Sequence, residues 1–131
     1  MKADLVIKNA RVIRHDGEFF GGVAVKDQKI IATGSNDVLP EATRTIDAGG
    51  RVLMPGLIDP HCHLGVKFPF DEDMRTETAA AASGGVTTAL LYIRNLKESY
   101  LPFYDERKAI GEENSVIDFG FHFGIQREEH I

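Results

Sequence analysis

The strongest constraint on this chain is a run of strand-like and helix-like segments in strict alternation across its second half. Leu57-Ile58-Asp59 is a short apolar strand leading into Pro60-His61-Cys62-His63. Asp71 to Ser83 reads as a helix, with acidic residues in its first turn, an alanine-rich body and Gly84-Gly85 to end it. Val86 to Ile93 is β-branched and apolar, Tyr104 to Glu113 is helical in composition, and Val116 to Phe123 is a third strand. The order β-α-β-α-β builds a parallel sheet with helices outside, either doubly wound or closed into a barrel.

Ahead of Pro55-Gly56 the pattern differs. Leu5-Val6-Ile7 and Arg11-Val12-Ile13 read as strands parted by a turn-like Lys8-Asn9-Ala10. Gly22 to Lys26 and Lys29 to Ala32 flank Asp27-Gln28, the pattern of a hairpin with a two-residue loop. Thr43 to Asp47 alternates polar and apolar residues, and Arg51 to Met54 follows a Gly49-Gly50 turn. Short strands with frequent turns indicate a sandwich or small barrel. The expected division is therefore 1–54, β-rich, and 55–131, α/β.

Composition narrows the partners. The 131 residues are 43% hydrophobic and 27% charged, the balance of a soluble globular protein. A net charge of −5 with basic residues scattered singly argues against nucleic acid, which needs a clustered positive surface. Cys62 is the single cysteine, so no internal disulfide forms, and no run approaches the roughly 20 apolar residues of a membrane span. A cytoplasmic location, away from membranes, is expected.

The chemistry concentrates at His61 and His63. Residues i and i+2 of a strand share a face, so the two imidazoles project together and Cys62 points the other way. Such a pair can grip one divalent metal, Zn²⁺ being the commonest choice. Asp59, two residues earlier, is placed to orient a ligand histidine. The pair also ends the first strand of a βα repeat, where barrel enzymes put their active sites. A bare His-x-His arises often by chance, so the neighbouring residues must decide.

Met54-Pro55-Gly56-Leu57-Ile58-Asp59-Pro60-His61-Cys62-His63 resembles the strand-one signature of the amidohydrolase superfamily. Ala79 to Thr88, with its Gly84-Gly85-Val86-Thr87-Thr88 block, resembles the segment that follows in the cyclic-amide branch of dihydropyrimidinases (hydantoinases), allantoinases and dihydroorotases. The resemblance covers nearly the whole chain. It implies the N-terminal part of a small β-sandwich over 1–54, then the first β-α-β-α-β units of a TIM-like (β/α)8 barrel over 55–131. It implies two divalent metals, Zn²⁺ by expectation, in the complete enzyme, with His61 and His63 on the more buried one. A bridging lysine, two more histidines and a proton-moving aspartate are expected beyond Ile131, leaving the catalytic residues of this chain unknown. The implied reaction is hydrolysis of a cyclic amide C–N bond by a metal-activated hydroxide.

A full eightfold barrel needs about 250 residues, so the chain is expected to be a fragment, or one piece completed by the remainder of the enzyme, and otherwise a homo-oligomer. Alone it is expected to be unstable and inactive, because a three-strand piece leaves an open edge and uncovered faces. Gly65 stands where dihydroorotases of this family carry an arginine, which favours a hydantoinase-like substrate. A deaminase-type mononuclear enzyme and a non-catalytic scaffold remain as rivals.

Other residues carry weaker signals. Arg94 and Asn95 follow the second strand and either hold substrate at the barrel mouth or simply form a loop. Phe70, in Phe68-Pro69-Phe70, either walls the pocket or anchors the loop. His122 is expected as a packed core residue, His15 and His130 as solvated ones, and Cys62 as packing behind the strand. Asp71, Glu72 and Asp73 are read as helix-dipole partners.

Overall fold

The structure, a computed structural model, describes residues 2–94 and 99–130 and divides into two compact units, Met1–Pro55 and Gly56–Ile131. Among the described residues no helix is long and apolar enough to cross a membrane.

The first unit is a five-stranded mixed sheet. Its strands are β1 (Ala3–Arg14), β2 (Gly17–Lys26), β3 (Lys29–Gly34), β4 (Ala42–Asp47) and β5 (Val52–Leu53). The order is β3-β2-β1-β4, with β5 also pairing β1; β2 runs antiparallel to its neighbours, while β4 and β5 run parallel to β1. The β2–β3 hairpin turns at Asp27 and Gln28, whose φ angles of 49° and 62° make the mirror-image turn that suits strand twist. The turn expected at Lys8-Asn9-Ala10 is instead a bulge inside one continuous strand. Asn9 takes φ 57°, and the β1–β2 register shifts between Ile7 and Ala10. Asparagine tolerates that conformation, and its side chain is occupied there: its Oδ1 accepts from Asn36 Nδ2 at 2.7 Å and its Nδ2 donates to Asp47 Oδ2 at 2.8 Å. Ala3, Val6 and Ala24 form one small buried cluster and Ala10, Val12 and Ala48 another.

The second unit is α/β. Strands β6 (Leu57–Cys62), β7 (Val86–Ile93) and β8 (Asp118–Phe123) form a parallel sheet in sequence order, linked by helices α1 (Phe70–Ser83) and α2 (Tyr100–Asn114). Helix α1 stops because Gly85 takes φ 89°, which ends the turn at no steric cost to a glycine. Helix α2 starts four residues earlier than expected: Ser99 Oγ caps it by accepting from Leu101 N at 3.3 Å, and Pro102 falls in the first turn, where a missing N–H costs nothing.

Along β7, Ala89, Leu91 and Ile93 are buried while Thr88, Leu90 and Tyr92 are only half-buried, the signature of a strand with one packed face. The packed face meets Phe70 and Met74 of α1, with Phe103 and Ile110 of α2 and Phe119, Phe121 and Phe123 of β8 against them. Met74 and Leu91 are fully enclosed, and burying each contributes about 1.5–3 kcal/mol. The Arg107 guanidinium lies 4.5 Å from the centroids of both Phe70 and Phe103, a pair of cation–π contacts sealing the helix side. Thr78 Oγ1 donates to the Met74 carbonyl and accepts from Val116 N at 3.2 Å, tying α1 to the entry of β8.

Candidate functional site

The uncovered face of the second sheet carries the polar chemistry. His61 is the penultimate residue of β6 and His63 follows the strand's end, both exposed, with their Nε2 atoms 3.2 Å apart. Two Zn–N bonds of 2.0–2.1 Å at a tetrahedral angle would hold their nitrogens about 3.3–3.4 Å apart. The pair therefore fits two ligands of one divalent metal. Without a metal, one Nε2–H can donate to the other nitrogen. Among the described residues no set of three His, Cys, Asp or Glu side chains converges as a metal site.

The strand supporting them is not regular. The β6–β7 register shifts between Asp59 and Cys62, so Asp59 pairs with Ala89 and Cys62 with Leu91. Three steps along β6 thus answer two along β7, which breaks the simple alternation expected from Asp59 to His63. Asp59 Oδ1 accepts from the backbone N–H of His61 at 3.0 Å, so its carboxylate holds the main chain that carries the ring. Cys62 turns to the packed face, its Sγ 3.9 Å from the Leu90 carbonyl oxygen. Burial, with the Asp59 carboxylate adding to it, pushes the Cys62 thiol up from its ordinary value, so it stays a neutral packing group.

The loop after the histidines is clamped from α1. Asp73, 8% exposed, accepts from the Gly65 N–H at 2.7 Å. It does more than face the helix dipole, the role expected of it. Gly65 sits at φ 73°, and a Cβ there would lie 3.1 Å from the Phe70 ring and Cβ, so a side chain at this position is strained twice over. Phe70 itself is 5% exposed in the core. Its ring packs with Met74 and Leu91 and lies under the Arg107 guanidinium, a placement that suits the loop anchor of the two roles expected of it.

Arg94 is exposed and borders an open cleft of about 480 Å³ with His63, Lys67, Phe68 and Glu77. Asn95 lies outside the described residues. Two histidine expectations also change. His122 is exposed on β8, in register with Tyr92, because its strand has one bare face. His130 is 4% exposed rather than solvated, its ring 4.6 Å from that of Tyr100 and its Nδ1 accepting from Gln126 N at 3.1 Å.

Sequence reasoning missed Tyr92. Its ring stacks on His61 (centroids 5.0 Å, planes 23° apart) and meets His63 nearly edge-on (5.5 Å, 84°). The signal was available: Tyr92 alternates with the buried Leu91 and Ile93, which puts it on the histidine face.

No family model matches the chain. A dihydroorotase of Methanothermobacter thermautotrophicus is 36% identical over 125 residues, covering 94% of this chain and 28% of its own length. An allantoinase of Enterococcus faecalis is 46% identical over 136 residues, covering 95% and 28% respectively. Among solved structures, an L-hydantoinase (dihydropyrimidinase) from Arthrobacter aurescens superposes with a TM-score of 0.84 at 30% identity, covering 97% of this chain and 29% of that one. The chain thus spans less than a third of the length of the relatives it matches.

Proposed function

We propose that the chain is the N-terminal portion of a member of the cyclic amidohydrolase branch of the amidohydrolase superfamily, and that it supplies the first two metal ligands of an enzyme hydrolysing a cyclic amide C–N bond. The observation carrying this reading is the convergence of His61 Nε2 and His63 Nε2 to 3.2 Å at the end of the first parallel strand. In the same reading residues 1–54 are part of a β-sandwich domain and 55–131 open a (β/α)8 barrel whose remaining strands complete the site. A small cyclic amide is the substrate and a homo-oligomer the working form. The lone Cys62 suits a reducing, cytoplasmic setting.

Within this chain each residue has a task. His61 and His63 would hold the metal through Nε2. Asp59, on the His61 amide, fixes the main chain that carries the first of these rings. The bound metal would supply Lewis acidity and lower the pKa of an attacking water. The Arg94-lined cleft beside His63 receives the ring of the substrate and turns its carbonyl toward the two imidazoles. The backbone at Gly65 leaves no unstrained place for a substrate-binding arginine, which favours a hydantoin- or dihydropyrimidine-like ring over dihydroorotate.

The test is elemental analysis and ring-opening assays on the full-length protein and its His61→Ala/His63→Ala variant. Divalent metal and hydantoin or dihydrouracil cleavage in the wild type, both lost in the variant, are expected. A folded wild type that binds no metal would overturn the reading and favour a scaffold role.

A further inference from the structure

Ligand histidines normally have their second ring nitrogen held by a carboxylate or carbonyl, which sets the direction of the first. No carboxylate or carbonyl among the described residues holds either imidazole in this way. Among the described residues the only hydrogen-bond contact of either imidazole is to the other, and the nearby Asp59 carboxylate is bound to backbone instead. Histidine χ2 is broad and roughly two-fold, so an exposed ring without such a partner has no fixed aim. Yet the two rings converge.

We propose that Tyr92 is the positioning residue of the pair, holding both imidazoles by ring packing so that the metal meets a preformed bite. The three rings close a triangle: Tyr92 is parallel to His61, perpendicular to His63, and the two histidines stand 4.9 Å apart at 76°. Rotating His61 about χ2 would drive its edge into the tyrosine face. Rotating His63 would lose the edge-to-face contact that aromatic quadrupoles favour. Tyr92 is itself fixed. Its neighbours Leu91 and Ile93 are buried on the other face, and its hydroxyl reaches over Gly124, where a Cβ would lie only 2.4 Å from Oη. The ring, not the hydroxyl, does the positioning.

This inference rests on the metal reading above, and its test separates the two. Zinc dissociation constants would be measured by chelator competition on the full-length wild type, Tyr92→Phe and Tyr92→Leu, with circular dichroism confirming that each is folded. Loss of an outer partner of a metal ligand typically weakens affinity by about 10- to 100-fold. Tyr92→Leu should fall in that range and Tyr92→Phe should stay within about twofold of wild type on the same scale. A Tyr92→Leu protein that binds zinc like wild type, or a Tyr92→Phe protein as weak as Tyr92→Leu, would overturn the proposal. Metal-free histidine ring resonances give the independent readout: Tyr92→Leu should move the His61 and His63 ring signals by removing the ring current, and unmoved signals overturn the positioning role even where no metal binds.

Discussion

The clamp between Asp73 and Gly65 decides how firmly the segment after His63 is held, and its strength can be worked out. A hydrogen bond to a charged acceptor contributes about 1.5–3 kcal/mol. Asp73 is buried, which argues for the upper end, but Gly65 is exposed and water competes for its amide, which argues for the lower. The lower end applies, because opening the loop gives the amide a water partner at once. At about 1.4 kcal/mol per tenfold, removing the acceptor should raise local opening roughly tenfold. The perturbation is Asp73→Ala, with Asp73→Asn as the graded partner, since an amide oxygen still accepts but without charge. The assay is hydrogen exchange at the Gly65 amide, which reads local opening directly and does not depend on the size of the whole protein. Asp73→Ala should speed exchange at Gly65 about tenfold, and Asp73→Asn by less. Exchange at Gly65 within twofold of wild type would refute the clamp. So would an equal acceleration along all of α1, because Asp73 would then act only on the helix.

Two further outcomes follow from ionisable groups. Asp47 accepts from Gly49 N and Asn9 Nδ2, both at 2.8 Å, and these bonds, the Gly49 amide foremost, hold its carboxyl below the usual range. A lowered folded pKa stabilises above the ordinary carboxylate value near 3.9, and that contribution is lost as pH falls through the lowered value. Thermal midpoints should therefore drop more steeply below about pH 4 in wild type than in Asp47→Asn, and parallel curves would contradict this. Cys62, its thiol pushed up, should be alkylated by iodoacetamide more slowly folded than in denaturant at pH 8, and an equal or faster folded rate would show it is not shielded.

Much of the second unit was legible because its signals are local. Val86–Ile93 is a strand at the expected residues, and α1 differs by one residue at its start. Alternation and glycine stops do not depend on distant contacts. The misreadings each came from a contact the sequence cannot display. Asn9 looked like a turn residue because its left-handed conformation is shared by turns and bulges, and only the Asn36 and Asp47 partners select the bulge. Helical composition placed the start of α2 at Tyr104, whereas the Ser99 cap brings the start forward to Tyr100. At the site, the spacing of His61 and His63 was readable, but the register shift that carries Asp59 to the backbone amide was not. His130 was misplaced because the terminal segment folds back on Tyr100.

Strand β7 has a consequence for how such a chain can change over evolutionary time. Its odd-numbered residues Ala89, Leu91 and Ile93 belong to the core, and its even-numbered neighbours Leu90 and Tyr92 do not. Two texts are thus written on alternate letters of one word: one spells folding, the other reactivity. Residues in the second text can be exchanged, and the chemistry of the face retuned, without disturbing the packing that keeps the strand in place. A slip of one residue would exchange the two texts at once, so the Tyr92 ring stays on the histidine face only while Leu91 stays in the core.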